Sequence, residues 1–235
     1  MKRGILIACI IIIGVHSAIA QRGLYFSPVF RNGISSSDQV NLTPLQHVAN
    51  PVYTYGAELG VGYSFNKLRV QAGAGYQRSG YNYNMGANKT SYYFNHLTGT
   101  LQLGYVLRNN KRLAIVPYLG ASYAFNYGSR SVSKLLDGSI LKKRLDQTTF
   151  KKQFNPSSIL GHAKLHFEYR FAQNAALIFG PSFQYMITDM SNSNVILAGN
   201  TELKNHIAFL DLGIIWILPD RSKSGKNRMP SLFYN

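Results

Sequence analysis

The chain has 235 residues, 46% of them hydrophobic and 14% charged, with 16 Tyr, 13 Phe and 21 Gly. Soluble domains average about 25% charged residues, so this composition argues against an ordinary soluble enzyme. The 25 Lys and Arg against 9 Asp and Glu give a net +16, which alone would admit a nucleic-acid partner; the export signal and the strand-spaced aromatics described next exclude that class.

Residues 1–20 read as a cleavable signal peptide. Lys2 and Arg3 precede an apolar run over 5–15, and Ala18-Ile19-Ala20 is a small-x-small cleavage site before Gln21. The run is shorter than the roughly 20 residues of a spanning helix. Cys9, the only cysteine, leaves with this segment, so the mature chain has no disulfide, thiolate or cysteine–metal chemistry. Loss of Lys2 and Arg3 lowers the charge excess from +16 to +14. No later segment approaches a spanning helix, so a membrane crossing must use strands of about 9–11 alternating residues.

From there the chain alternates with a period of two. A first, short strand is expected at 23–30. Over 53–65, Tyr53, Tyr55, Ala57, Leu59, Val61, Tyr63 and Phe65 share one face, and Thr54, Gly56, Glu58, Gly60, Gly62 and Ser64 the other. Asn66-Lys67 turns the chain into a strand with Leu68, Val70, Ala72, Ala74 and Tyr76 outside and Arg69, Gln71, Gly73, Gly75 and Gln77 inside. Leu97, Leu101, Leu103 and Tyr105 alternate with His96, Thr98, Thr100 and Gln102. After a turn at 109–112, Leu113, Ile115, Leu119, Tyr123 and Phe125 alternate with Ala114, Val116, Tyr118, Gly120 and Ser122. Next come Leu165, Phe167 and Tyr169 against His162, Lys164, His166, Glu168 and Arg170. A turn at 172–174 leads to Leu177, Phe179, Phe183 and Tyr185 against Ile178, Gly180, Ser182 and Gln184. The last strand sets Leu210, Leu212, Ile214 and Trp216 outside, with Phe209, Asp211 and Gly213 inside.

Eight strands result. Three connections are short (66–67, 109–112, 172–174) and four are long (31–51, 80–90, 128–156, 188–203), in strict alternation. The outward aromatics fall in two bands: Phe65, Tyr105, Tyr169 and Trp216 near the short turns, and Tyr53, Tyr76, Tyr123 and Tyr185 near the long loops. Alternating apolar and polar faces, two aromatic girdles and unequal connections predict an all-β fold, an eight-stranded antiparallel transmembrane β-barrel of the bacterial outer membrane. Its short turns and both termini would be periplasmic and its long loops extracellular. The barrel occupies 21–218, and 219–235 forms a basic periplasmic tail with Arg221, Lys223, Lys226 and Arg228.

The inner face would then hold Glu58, Arg69, His96, His162, Lys164, His166, Glu168, Arg170 and Asp211. An eight-stranded interior is just wide enough to be filled by side chains, and charges there must be paired or hydrated. The expected role is a polar plug. A hydrolase would use His96 with Ser122 or Ser182, or His162 and His166 with Glu168. Two histidines four residues apart on one strand face stand about 13 Å apart, too far for one metal ion, and no serine elbow or zinc motif accompanies them. No catalytic residue, metal or cofactor is expected. The loop over 128–156 carries Lys142, Lys143, Arg144, Lys151 and Lys152, a basic patch suited to the phosphates of lipopolysaccharide. Within it 133–143 is expected to form a short amphipathic helix displaying Leu135, Leu136, Ile140 and Leu141.

The stretches Glu58-Leu59-Gly60-Val61-Gly62-Tyr63-Ser64-Phe65, Ala72-Gly73-Ala74-Gly75-Tyr76, Leu119-Gly120-Ala121-Ser122-Tyr123 and Leu212-Gly213-Ile214 resemble the outer-membrane β-barrel domain family common in Bacteroidota. The resemblance covers 21–218 and implies a small integral, porin-like barrel without enzyme activity. One branch of that family is PorT-like and assists a secretion system, which makes an envelope protein a candidate partner besides outer-membrane lipid. The resemblance supplies no shared catalytic residues. Many outer-membrane barrels end on the aromatic of their last strand, whereas this chain continues past Leu218.

Overall fold

A computed structural model describes residues 22–40, 50–65, 67–85, 88–109, 112–145, 148, 151, 154–172, 174–190 and 202–218. The expected signal peptide, the basic tail and Lys152 lie outside the described residues. Ten strands are present among the described residues: β1 (Arg22–Val40), β2 (Val52–Phe65), β3 (Leu68–Met85), β4 (Asn88–Tyr105), β5 (Arg108–Asn109), β6 (Leu113–Lys134), β7 (Ile140–Leu145), β8 (Ser157–Ala172), β9 (Ala175–Met186) and β10 (Glu202–Ile217).

Eight of them pair antiparallel in the order β4-β3-β2-β1-β10-β9-β8-β6, and pairing of β4 with β6 closes the ring. Closure leaves no unpaired edge facing lipid, where nothing could satisfy free backbone groups. The surface is inverted relative to a soluble barrel. Phe30, Leu59, Leu101, Leu119 and Leu210 point outward and are exposed, while Arg31, Glu58, Arg69, Lys164, Glu168 and Asp211 point inward and are buried. The pleat enforces this, because each strand places apolar and polar residues on opposite faces. The fold is an antiparallel eight-stranded barrel of the transmembrane type.

The strands run longer than expected. β1 continues from Phe30 to Val40, paired with β10 as far as Val40–Glu202. β3 and β4 remain paired to Met85–Asn88, so most of the predicted loop at 80–90 is hairpin. A crossing needs about 9–11 residues per strand, and the surplus extends past the barrel wall at the long-loop end. The clearest correction concerns 133–143, which is a β-hairpin and not a helix. β6 pairs with β7 from Ser129–Leu145 to Lys134–Ile140. Asp137-Gly138 makes the turn, with Gly138 at φ 80°, a left-handed conformation that glycine adopts without a Cβ clash. The Ser139 hydroxyl and backbone N–H bond to the Asp137 carboxylate and hold its pKa below the usual value. A helix there would have left its apolar side without a partner, whereas the hairpin extends an existing sheet.

Three clusters of apolar side chains line the bore. Tyr25, Val29, Ala176, Ile178, Ile215 and Ile217 form one at the short-turn end, beside Val106, Ala114, Val116 and Tyr118. Tyr81, Phe94, Phe154, Met186 and Met190 form the third, at the long-loop end.

Candidate functional site

All nine side chains assigned inward from alternation lie on the inner face; eight are buried, and Arg170, near the short turns, is half-buried. Between the apolar clusters the charged groups form two linked networks. In the first, Glu58 receives Arg31 Nη2 at 2.5 Å on one carboxylate oxygen and Lys164 Nζ at 3.0 Å on the other. Asp211 faces Arg31 Nε at 3.5 Å and His166 Nε2 at 3.2 Å, and accepts from the Ser182 hydroxyl at 2.8 Å. In the second, Arg69 pairs with Glu168, donates to the Tyr118 hydroxyl at 3.2 Å and lies 5.6 Å from the Tyr25 ring centroid. The Tyr118 and His166 rings, 5.2 Å apart, join the two.

The ionic groups of the networks balance. Arg31, Arg69 and Lys164 meet Glu58, Glu168 and Asp211, three cations against three carboxylates. That is the arrangement in which burying six ionisable groups can be tolerated, since each has an opposite charge within 4 Å in place of water. β2 and β8 stand four places apart on the ring of eight. The Lys164–Glu58 contact therefore spans the bore along a diameter.

Small residues make room for large neighbours at two points. A Cβ on Gly104 would strike the Tyr118 ring, and one on Gly120 would strike Gln102 and the His162 ring. The side-chain amides of Gln77 and Gln102 are buried without a hydrogen-bond partner among the described residues, and buried amides of this kind are satisfied by bound water.

Sequence reasoning misses Arg31 and Tyr25, and it sets Tyr118 on the inner face without giving it a part in the network. Arg31 falls in a predicted loop, although it continues the inward parity of Tyr25 and Val29. The histidines resolve differently from the hydrolase expectations. His96 Nε2 lies 2.9 Å from the Ser79 hydroxyl, not from Ser122 or Ser182. Its Nδ1 has no partner among the described residues, so no carboxylate orients the ring, and the pair is buried beside Phe94.

On the outer wall the girdle candidates Tyr53, Phe65, Tyr105, Tyr123, Tyr169, Tyr185 and Trp216 are exposed and Tyr76 is half-buried. Of the basic patch, Lys142, Lys143 and Arg144 are exposed on β7, and Lys151 is exposed. Beside β7 a cleft of about 340 Å³ is lined by Asn95, Tyr127, Arg130, Lys142 and Arg144, among others.

No protein-family model and no curated protein matches this chain. Solved structures similar to it include the outer membrane protein OprG from Pseudomonas aeruginosa, at 16% identity and TM-score 0.45, covering 85% of this chain and 97% of that one. A major outer membrane protein from Thermus thermophilus is 14% identical with TM-score 0.45, covering 83% and 99%. Neisserial surface protein A (NspA) is 14% identical with TM-score 0.42, covering 83% and 99%. The likeness is one of fold and carries no activity across.

Proposed function

We propose that this protein is an integral barrel of the bacterial outer membrane whose lumen is closed and which acts through its long-loop end, in a structural or interaction role and not as an enzyme. The Lys164–Glu58 pair carries the reading, because it closes the bore along a diameter at 3.0 Å. Apolar clusters on either side of the ion lattice add to the closure. The polar inner face, apolar outer face and aromatic bands support the membrane, and the signal peptide read at 1–20 supports the export route. The long-loop end would face outward, with both termini periplasmic. The resemblance to the Bacteroidota barrel family agrees with this reading. Lipopolysaccharide and outer-membrane lipid are the proposed partners at the long-loop end, and an envelope or secretion protein is a further candidate.

Planar-bilayer recording of the purified protein tests the closed lumen. The wild type is expected to show no sustained conductance, and a stable open level would overturn the proposal. A second reading, a narrow path for small solutes, is favoured by the unpartnered amides of Gln77 and Gln102. It requires the ion lattice to part, so Lys164→Met should then raise flux of a small neutral solute into liposomes.

A further inference from the structure

The outer wall at the long-loop end carries a second concentration of arginine with a different construction. β4 and β6 are in regular register up to His96–Asn126, then shift so that Asn95 pairs with Gly128 and Tyr93 with Arg130. Tyr127 is the extra residue, a β-bulge. Before the bulge the even-numbered side chains of β6 point into the lumen; after it they point out. Arg130 thus lands on the outer face, with Tyr93.

There it joins a row that crosses four strands. The Arg78 guanidinium carbon lies 4.0 Å from the Tyr93 ring centroid and 5.6 Å from that of Tyr55; Arg130 lies 5.2 Å from Tyr93. Tyr93 is therefore clasped by two arginines. On the other side Arg130 pairs directly across from Arg144. Like charges placed opposite one another across strands repel, and stacking on tyrosine orients a guanidinium without neutralising it. Among the described residues no carboxylate lies within 4 Å of Arg78, Arg130, Lys142 or Arg144. Tyrosine stacking holds the charges of Arg78 and Arg130 in place, and the cationic charge of the row is unanswered by the described part of the protein.

The level matters as much as the charge. Tyr55, Tyr76 and Tyr127 form a chain of ring contacts immediately below the row, with centroids 6.0 and 6.3 Å apart. Below them Leu97 and Phe125 are exposed, apolar and cross-strand neighbours. The cationic row therefore stands one step above an aromatic band, the level of lipid headgroups. Its cleft lies within the range of about 300–1,000 Å³ typical of small-ligand sites.

We infer that the cleft lined by Arg130, Lys142 and Arg144, beside the stack of Arg130 on Tyr93, binds the phosphate of a phosphorylated lipid A headgroup whose acyl chains lie against the apolar wall below. Two guanidiniums facing each other suit a phosphate, which each can engage through paired N–H donors. The site deepens the proposed outer-membrane role and rests on its assignment of the long-loop end to the outer leaflet.

The test uses the purified full-length mature barrel in detergent, titrated with diphosphorylated lipid A and with the same lipid stripped of both phosphates. Bound lipid is read by native mass spectrometry. Saturable binding at one lipid per barrel is expected, weakened by about tenfold or more when the phosphates are removed, on the scale of a lost charge-assisted contact. Arg130→Gln with Arg144→Gln should cause the same loss, and Lys67→Gln, at the opposite end of the barrel, none. Equal binding of both lipids, or full binding by a double variant that keeps heat-modifiable gel mobility, overturns the site. Displacement of the lipid by an equal concentration of inorganic phosphate identifies a free-anion site and overturns the lipid assignment. Should the double variant lose its heat-modifiable mobility, Tyr93→Leu, which keeps every charge and removes the clasp, is read instead, with weakened binding expected and unchanged binding overturning the site. Conductance reports the closed lumen separately, so failure of either idea is visible without the other.

Discussion

Arg69 and Arg130 are built from the same parts and placed in opposite solvents. Each stacks on a tyrosine, Arg69 on Tyr25 and Arg130 on Tyr93. Arg69, inside the barrel, also has Glu168 and the Tyr118 hydroxyl, and belongs to a lattice whose ionic charges cancel. Arg130, on the outer wall, has no carboxylate partner among the described residues and faces Arg144. An enclosed site cannot recruit counterions, so its charge must be balanced by the fold itself. An interfacial site can draw its counterion from lipid or solution, so the fold may leave it unbalanced. Balanced charge thus reads as structure and unbalanced, immobilised charge as binding. Net charge alone would not have separated them.

The largest effect is expected inside. Glu58→Gln leaves Arg31 and Lys164 facing a neutral amide, and removal of one member of a buried ion pair costs about 3–5 kcal/mol. The urea midpoint for unfolding from lipid vesicles should fall accordingly, and adding Lys164→Met should recover part of the loss, since the two sites share one interaction. A Glu58→Gln barrel as stable as wild type would remove the lattice from the account of the fold. Gly104→Val comes next. It pushes a side chain into the Tyr118 ring and loosens the hydroxyl that receives Arg69. Overpacking of this kind costs about 1–3 kcal/mol, measurable in the same titration.

On the outer wall the stability effects should nearly vanish. Arg130→Gln is expected to shift the unfolding free energy by no more than about 0.5 kcal/mol, as for other surface changes, while weakening lipid binding. A large stability loss would show that the row belongs to the fold after all. The smallest effect concerns salt. At about 1 M ionic strength the screening length falls to roughly 3 Å. Lipid A binding should weaken there, while the midpoint of heat-modifiable gel mobility stays where it is in low salt. A midpoint that moved with salt would mean the lattice is open to solvent.

The faces of the barrel are legible in sequence wherever the pleat runs unbroken. Parity alone places Glu58, Arg69, Lys164, Glu168 and Asp211 inward, because successive side chains on a strand must alternate. Strand ends are less legible. Arg31 escapes because 31–40 contains Ser, Asn and Gly, which read as loop, yet its backbone is held by pairing with β2 and β10. The 133–143 segment reads as a helix from its apolar residues, although Asp137-Gly138 is a hairpin turn signal.

The number of barrel strands, their inner and outer faces and the unequal ends are all written in the chain, since each follows from local alternation and turn chemistry. Which charges meet is a product of closure. Lys164 and Glu58 are 106 residues apart and touch only because the ring closes with their strands opposite. Arg130 shares Tyr93 with Arg78 only because the bulge at Tyr127 reverses the parity of β6. An extra residue leaves little trace in an alternating pattern, and it appears only when a strand is laid against its neighbour.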